Sequence, residues 1–239
     1  MNDNKFFRLF GTNKPIIGMI HLAGKNKRQK IKRALEELAI YEEESIDGSI
    51  IEDYHGDYWD VYETLRESET KFNLIRGINL LGNPYLSFNL ATKFGCRFVQ
   101  FDTIQTNELN VGKYRQLIKQ YQEIVILGGV RFKYTKPGEN SLKKDLEDGI
   151  QRCDAIVTTG EGTGIETPIE KLKEFRNLLE DFPLLVGAGV NLDNIYSQLK
   201  ITDGAIIGSY FKLNGNTYLP VDRKKVKDLM DVVKKLREE

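Results

Sequence analysis

The chain has little of what metal and disulfide chemistry needs: two histidines, two cysteines and one tryptophan among 239 residues. Cys96 and Cys153 have no metal-ligand spacing and are too few for a disulfide framework. Both adjoin predicted strands, which reads as buried thiols in a reducing cytosol. An excess of charge is missing too, since Lys plus Arg and Asp plus Glu both number 35. No overall field then favours nucleic acid or an anionic membrane, and the expected partner is a small molecule or another protein. Long apolar runs are absent. The longest, 15–24, is broken by His21 and falls far short of the ~20 residues of a membrane span. Residues 1–10 mix Asp3, Lys5 and Arg8 with Phe6, Phe7, Leu9 and Phe10, without the continuous apolar core of an export signal. The expectation is a cytoplasmic protein with no membrane span.

What the sequence does have is alternation. Its apolar residues, 40% of the chain, arrive in short runs separated by charged stretches. Runs at 16–21, 49–54, 76–80, 98–102, 124–130, 155–159, 184–187 and 205–208 are rich in Ile, Val and Leu and are largely without charge until their last residues, as strands covered on both faces should be. Between them, 27–45 places Ile31, Leu35, Leu38 and Tyr41 at helical spacing, and 113–121, 142–152, 169–179 and 223–237 repeat the pattern. Pro84 and Pro168 sit where helices should begin, and Asp222 can cap the last one. Eight strands alternating with helices leave a closed barrel or an open doubly wound sheet. The units recur at roughly 20 to 33 residues, near one eighth of the usual barrel length. Gly18 and Gly24 after the first run do not make a dinucleotide fingerprint. The fold class is therefore α/β, a single (β/α)8 barrel. No linker or low-complexity tract divides it, so residues 1–239 form one domain, with 1–14 as a capping segment and the barrel from about 15. Phe6, Phe7, Leu9 and Phe10 are expected to plug the amino-terminal end of the barrel or to make a contact between copies of the chain in a homo-oligomer.

In such barrels function collects at the carboxyl ends of the strands, and almost every predicted strand ends in a polar residue. The strongest motif is Val186-Gly187-Ala188-Gly189-Val190-Asn191, followed by Leu192-Asp193-Asn194. Two glycines directly after an apolar strand let the backbone turn sharply and present N–H groups to an anion. One strand later comes Gly208-Ser209, and together these match the phosphate site that barrels build after strands seven and eight. The turn Gly160-Glu161-Gly162-Thr163-Gly164 could complete the cradle, through Glu161 and Gly162, or form a lid; Lys212 is a further cation nearby.

His21 follows Ile17 and Met19 at alternating positions, so it lies at the mouth of the barrel or among the outer helices. It is either a general acid/base or a half-buried residue holding a loop carbonyl. Glu52, Asp53 and Asp57 form an acidic group around His55, with Asp102 able to approach from strand four. Such groups can hold a divalent cation, but no compact ligand spacing is present and no metal or cofactor is assigned. An acid/base pair, or carboxylates bonded to a sugar-like substrate, fits better, with Asp53 and Asp57 alternatively a loop turn and a cap for the helix near Trp59. Lys133, past strand five, is a candidate catalytic cation, with Arg131 or Lys136 as competing phosphate counter-ions.

Several of these blocks resemble the BtpA/SgcQ family: residues 9–22, Leu-Phe-Gly-Thr-Asn-Lys-Pro-Ile-Ile-Gly-Met-Ile-His-Leu; Asp47-Gly48-Ser49-Ile50-Ile51-Glu52 with Gly56-Asp57; Gly77-Ile78-Asn79-Leu80-Leu81; residues 159–164; residues 186–190; and Gly208-Ser209-Tyr210-Phe211-Lys212. The resemblance implies a phosphate-binding barrel related in fold to tryptophan synthase α-like and ribulose-phosphate-binding enzymes. It implies no single reaction: one branch is named for photosystem I biogenesis and another lies among sugar-metabolism genes. The chain departs from the family pattern in three places. Ala23-Gly24-Lys25-Asn26 replaces a proline-rich loop, an extra residue sits around His55, and after strand five an expected Asp is Gly129 and an expected His is Tyr134.

The residues and the resemblance together lead to an enzyme acting on a small phosphorylated metabolite, a sugar phosphate or nucleotide-like compound. Gly187, Gly189, Gly208 and Ser209 would hold the phosphate, Glu52 and His21 share proton transfers, and Asn79 and Asp102 orient hydroxyls. Lyase, isomerase and glycosidic-cleavage chemistry are all compatible with that set. The alternatives are a non-catalytic assembly factor, made more plausible by Gly129 and Tyr134, and a sensor of a phosphorylated ligand.

Overall fold

The computed structural model describes residues 4–136 and 138–239. The eight apolar runs form β1 (Ile16–Ile20), β2 (Gly48–Glu52), β3 (Ile75–Asn79), β4 (Phe98–Phe101), β5 (Val125–Gly129), β6 (Ala155–Thr159), β7 (Leu184–Gly187) and β8 (Gly204–Ile207). Each pairs in parallel with the next, and β8 closes on β1 with Ile16 opposite Ala205 and Gly18 opposite Ile207. This is the closed (β/α)8 barrel expected from the spacing.

Closure buries both faces of every strand, which is why the strands read as continuous apolar runs rather than alternating ones. Their side chains still divide by parity. Ile17, Met19, Ile50, Phe98, Val125, Leu127, Ala155, Val157, Leu185 and Ile206 pack together inside the barrel. Ile16, Ile20, Ile51, Ile78, Val99, Ile126, Ile156, Leu184 and Ile207 pack outward against the helices. Continuing the inward parity to the strand ends reaches His21, Glu52, Asn79, Gln100, Thr159, Gly187 and Gly208. The polar strand ends therefore share one chamber.

The amino-terminal end is closed by α1 (Lys5–Phe10), which the Asn4 side chain caps by accepting from Phe6 N at 2.7 Å. Gly11, at φ 61°, turns the chain out of the helix toward β1. Phe6 is fully buried in the inner cluster, and Phe10 lies with its ring centroid 5.8 Å from that of Phe98. Phe7 and Leu9 are only partly buried against it.

Outside the sheet run α2 (Lys27–Glu43), α3 (Tyr58–Ser68), α4 (Ser87–Lys93), α5 (Val111–Gln120), α6 (Leu142–Ile150), α7 (Ile169–Leu179), α8 (Ile195–Leu199) and α9 (Arg223–Glu238). The α2 seam shows how closely the layers meet: the Tyr41 hydroxyl donates to Met19 O at 3.0 Å, and a Cβ on Gly18 would lie 2.5 Å from the Tyr41 ring. Asp57 caps α3 in a reciprocal box with Asp60, and Asp222 caps α9. The five-residue α8 is too short to give a periodic signal. Among the described residues no helix is long and apolar enough to cross a membrane.

Candidate functional site

At the carboxyl end of the barrel a chain of polar contacts spans β1 to β4. His21 Nε2 lies 3.9 Å from Glu52 Oε2. Glu52 Oε1 accepts from Asn79 Nδ2 at 2.8 Å, and the same amide nitrogen donates to Asp102 Oδ1 at 2.9 Å. Gln100 Nε2 donates to that oxygen as well, also at 2.9 Å. The sequence-predicted His21, Glu52, Asn79 and Asp102 are thus brought together. His21 lies at the mouth and not among the outer helices.

Burial decides the protonation of the two groups nearest the chamber. Glu52, 5% exposed, is pushed up from 4.5 to about 8, first by loss of solvent and then by the charge of Asp102, against the opposing pull of Lys133 and the Asn79 hydrogen bond. His21 is held well below 6.5 by burial, then by Lys212, Lys133 and His55. Near pH 7 the pair is a neutral carboxylic acid beside a neutral imidazole, not an ion pair. His21 Nδ1 has no hydrogen-bond partner among the described residues.

The facing wall comes from β6 to β8. The Gly187 carbonyl accepts from the Thr167 hydroxyl at 2.9 Å, and the Gly189 carbonyl accepts from the side-chain amides of Asn194 at 3.0 Å and Asn191 at 3.2 Å. In a trans peptide the N–H points opposite to the carbonyl, so these bonds turn the N–H groups of Ala188 and Val190 away from the pinned side. Ala188 and Gly189 both adopt left-handed backbone, at φ 58° and 63°. A Cβ on Gly189 would stand 2.3 Å from Glu166 N, so only glycine fits there. Across β8, a Cβ on Gly208 would lie 3.1 Å from His21 Cε1, and one on Gly164 would lie 3.3 Å from Ser209 Oγ. Gly164, Gly187, Ala188, Gly189, Val190, Gly208 and Ser209 line an inner chamber of ≈ 40 Å³ together with His21, Glu52, Gln100, Lys133 and Thr159.

Lys133 also lines a second, outer cleft of ≈ 340 Å³ with Asn79, Tyr85, Asp102, Thr103, Glu108 and Tyr134. Its backbone N–H donates to Thr159 Oγ1 at 2.6 Å, and its ammonium donates to Thr163 Oγ1 at 3.1 Å. Lys171, which sequence reasoning missed, donates to Thr159 O at 2.6 Å and Arg131 O at 2.8 Å, fixing the root of that loop.

Some expectations are corrected. Lys212 does not line the inner chamber: its buried ammonium pairs with Glu37 Oε2 at 2.7 Å, on the α2 side of β8. Glu161 is exposed, and neither it nor Gly162 lines the inner chamber; Thr163 and Gly164 of the same turn do. Arg131 is committed to Asp145 at 2.7 Å and Asn140 O at 2.7 Å, so it does not compete with Lys133. The acidic group after β2 disperses. Asp53 Oδ1 accepts from Leu81 N at 2.8 Å, Asp57 caps α3, and His55 Nε2 meets Thr217 Oγ1 at 3.0 Å. Among the described residues no three His, Cys, Asp or Glu side chains converge as a metal site.

A family model described as the BtpA family matches residues 12–235. The chain belongs to the BtpA family. Its relatives include an uncharacterised protein of Pyrococcus horikoshii, 29% identical across 95% of this chain and 98% of that one. The photosystem I biogenesis protein BtpA of Synechocystis is 24% identical across 95% and 90%. Among solved structures, the barrel is similar to N-(5'-phosphoribosyl)anthranilate isomerase of Pyrococcus furiosus, with a TM-score of 0.62 and 15% identity over 93% of this chain and 99% of that one. That likeness concerns the fold.

In this BtpA-family chain, the two departures at the end of β5 and in the loop after it have a structural meaning. A Cβ on Gly129 would lie 2.0 Å from Asp102 O, so no side chain fits at 129 while β4 ends as it does. Tyr134 stands 74% exposed with its hydroxyl accepting from Thr163 N at 2.9 Å. It bridges two loops above the chamber.

Proposed function

We propose that this chain is a cytosolic enzyme acting on a small phosphorylated metabolite, a sugar phosphate or nucleotide-like compound. One observation carries the reading: a backbone cradle at Ala188–Val190 and Gly208–Ser209 shares one small chamber with a buried carboxyl that keeps its proton to about pH 8 beside a neutral imidazole. The phosphate sits in the cradle, held by N–H groups and the Ser209 hydroxyl. Its binding places the neighbouring carbons against Glu52 and His21. Glu52 is the general acid, because it retains its proton where an ordinary carboxyl has lost it. His21, neutral, accepts or relays the proton on the opposite stroke. Asn79 and Asp102 hold Glu52 and orient substrate hydroxyls, and Lys133 offsets negative charge that develops between the two cavities. Isomerase, lyase and glycosidic-cleavage chemistry all draw on this set.

The test is a thermal-shift screen of the full chain against phosphorylated sugars and nucleotides, repeated on Gly189→Asp. A compound at 100 times its dissociation constant stabilises the folded state by ~2.7 kcal/mol, a rise of roughly 5–10 °C for a domain of this size. The variant should lose that rise, because the new carboxylate repels phosphate and its Cβ collides with Glu166 N. If no phosphorylated compound at millimolar concentration shifts the wild-type melting point, the reading is wrong. The Synechocystis relative's name supports a second reading, an assembly factor that keeps the barrel as a scaffold. Ligand-induced stabilisation without turnover, together with co-purification with membranes, would favour it.

A further inference from the structure

Gln100 takes no part in the chemistry proposed above, yet it lines the inner chamber and is 3% exposed. Its orientation is fixed by its neighbour. An ionised carboxylate can only accept, so the contact at 2.9 Å to Asp102 Oδ1 must be made by the amide nitrogen. The amide oxygen is thereby turned away from Asp102, and it has no donor among the described residues. A buried amide oxygen without a donor is unfavourable, and such atoms in folded proteins nearly always have a reason. Neither nitrogen donor nearby reaches it: the Asn79 amide donates to Glu52 and Asp102, and the Lys133 ammonium donates to Thr163.

We propose that Gln100 is a specificity residue whose Oε1 accepts a hydrogen bond from a hydroxyl on the ligand, which makes the ligand a phosphate monoester of a polyol or sugar bearing a free hydroxyl near the phosphate. This rests on the cradle described under the proposed function. The lining sets the proximity: Gln100 and the cradle residues bound the same small chamber, and Lys133 lines both that chamber and the ≈ 340 Å³ cleft into which the rest of the ligand extends. A chamber with a preset acceptor discriminates strongly, because a ligand without the hydroxyl leaves the amide oxygen buried and unpaired.

The experiment is calorimetric titration of the full chain with inorganic phosphate, propyl phosphate and sn-glycerol 3-phosphate. The two esters differ in hydroxyls on the same three-carbon skeleton. Wild-type protein should bind glycerol 3-phosphate about tenfold or more tightly than propyl phosphate, one buried hydrogen bond's effect. In Gln100→Met, of similar length but apolar, the ratio should fall to within about twofold, with inorganic phosphate still bound. Merely holding Asp102 in place would make the variant lose affinity for all three alike and keep the ratio. Equal binding of both esters by wild type, or an unchanged ratio in the variant, overturns the assignment. The wild-type ratio needs no variant, and Gln100→Leu is the second substitution should Met fail to fold. If none of the three probes binds, the cradle reading itself is wrong and the Gln100 assignment goes with it. If phosphate binds and the ester ratio is flat, only the Gln100 assignment falls.

Discussion

The two ends of the barrel interior are built from the same strands to opposite rules. At the amino-terminal end Ile17, Ile50, Phe98, Val125, Ala155 and Leu185 meet Phe6 and Phe10, and every inward side chain is apolar. Toward the carboxyl end, the inward positions of β1 to β4 are His21, Glu52, Asn79 and Gln100. Their buried polar atoms are only partly paired: His21 Nδ1 and Gln100 Oε1 lack partners among the described residues. The wide groove at the amino-terminal end, ≈ 1290 Å³, does not resemble the inner chamber, because several of its charges are already engaged. Arg176 pairs with Asp203 at 2.5 Å, Arg237 with Asp47 at 2.5 Å, and Lys14 donates to Thr202 O at 2.8 Å. One end thus contributes stability. The other leaves buried polar atoms unpaired at a cost in stability, as functional sites commonly do.

The sharpest way to break this contrast is Glu52→Gln, which removes the ionisable carboxyl and keeps the shape. In the folded protein Glu52 holds its proton to about 8, against 4.5 for the free group. Its contribution to stability is therefore fully present below about 4.5 and is lost as pH rises through about 8. The glutamine does not titrate, so the variant should gain on wild type across that window, by up to about 5 kcal/mol at its upper end. Urea unfolding at pH 5 and pH 9 measures this. A wild-type-to-variant difference that stays constant between those pH values would show that Glu52 is not held neutral. The same variant should lose turnover of any ester found to be a substrate by ~10²–10⁴.

At the other end, Phe6→Ala should remove roughly 3–5 kcal/mol, the usual loss on emptying a fully buried aromatic site, and leave phosphate affinity unchanged. Both are read by urea unfolding and by titration with inorganic phosphate. Loss of affinity in a variant that is still folded would mean that the two ends are coupled, and the contrast would then be the wrong description.

Much of this division could be read from strand parity alone. Ile17, Met19 and His21 fall on one face, and so do Ile50 with Glu52 and Phe98 with Gln100, so the barrel and the shared chamber follow from counting by two. Gln100 near the end of the fourth strand follows in the same way, since it stands two residues after an inward Phe. Partners distant in sequence were not legible. Lys212 is drawn from the cradle by Glu37, 175 residues earlier, and nothing near either residue announces the pair. The choice of Thr163 and Gly164 over Glu161 and Gly162 depends on how the β6 turn folds back toward Ser209. Gly129 looks like a lost side chain until the Asp102 carbonyl is seen to fill the space.

An intermediate effect is expected from Asn79→Ala. This amide joins the proton-holding carboxyl to the charged one, and truncation strips both Glu52 and Asp102 of a donor. The loss should be about 1–3 kcal/mol. Because the Asn79 bond favours the ionised form of Glu52, its removal should also move the Glu52 midpoint above about 8. The stability-against-pH curve reports both quantities. A midpoint that moves down would mean that water replaces Asn79 and that the chamber is wetter than its burial implies.

The smallest predicted effect concerns the bridge over the chamber. Tyr134 lies in left-handed backbone at φ 62°, and its hydroxyl accepts from Thr163 N at 2.9 Å and donates to Thr163 Oγ1 at 3.4 Å. A tyrosine so exposed gains almost nothing from burial, so Tyr134→Phe should change global stability by less than about 1 kcal/mol. The hydroxyl does, however, tie the β5 loop to the β6 loop beside the point where Lys133 meets Thr163, between the inner chamber and the outer cleft. Loosening that tie should speed ligand release with little effect on entry, because most affinity changes within one site appear in the off-rate. Stopped-flow binding of a phosphate ester therefore separates two roles. A dissociation rate a few fold faster at unchanged melting temperature identifies a gate over the polar end. Equal rates in the two proteins would leave Tyr134 a surface residue and place the boundary of the site at Lys133.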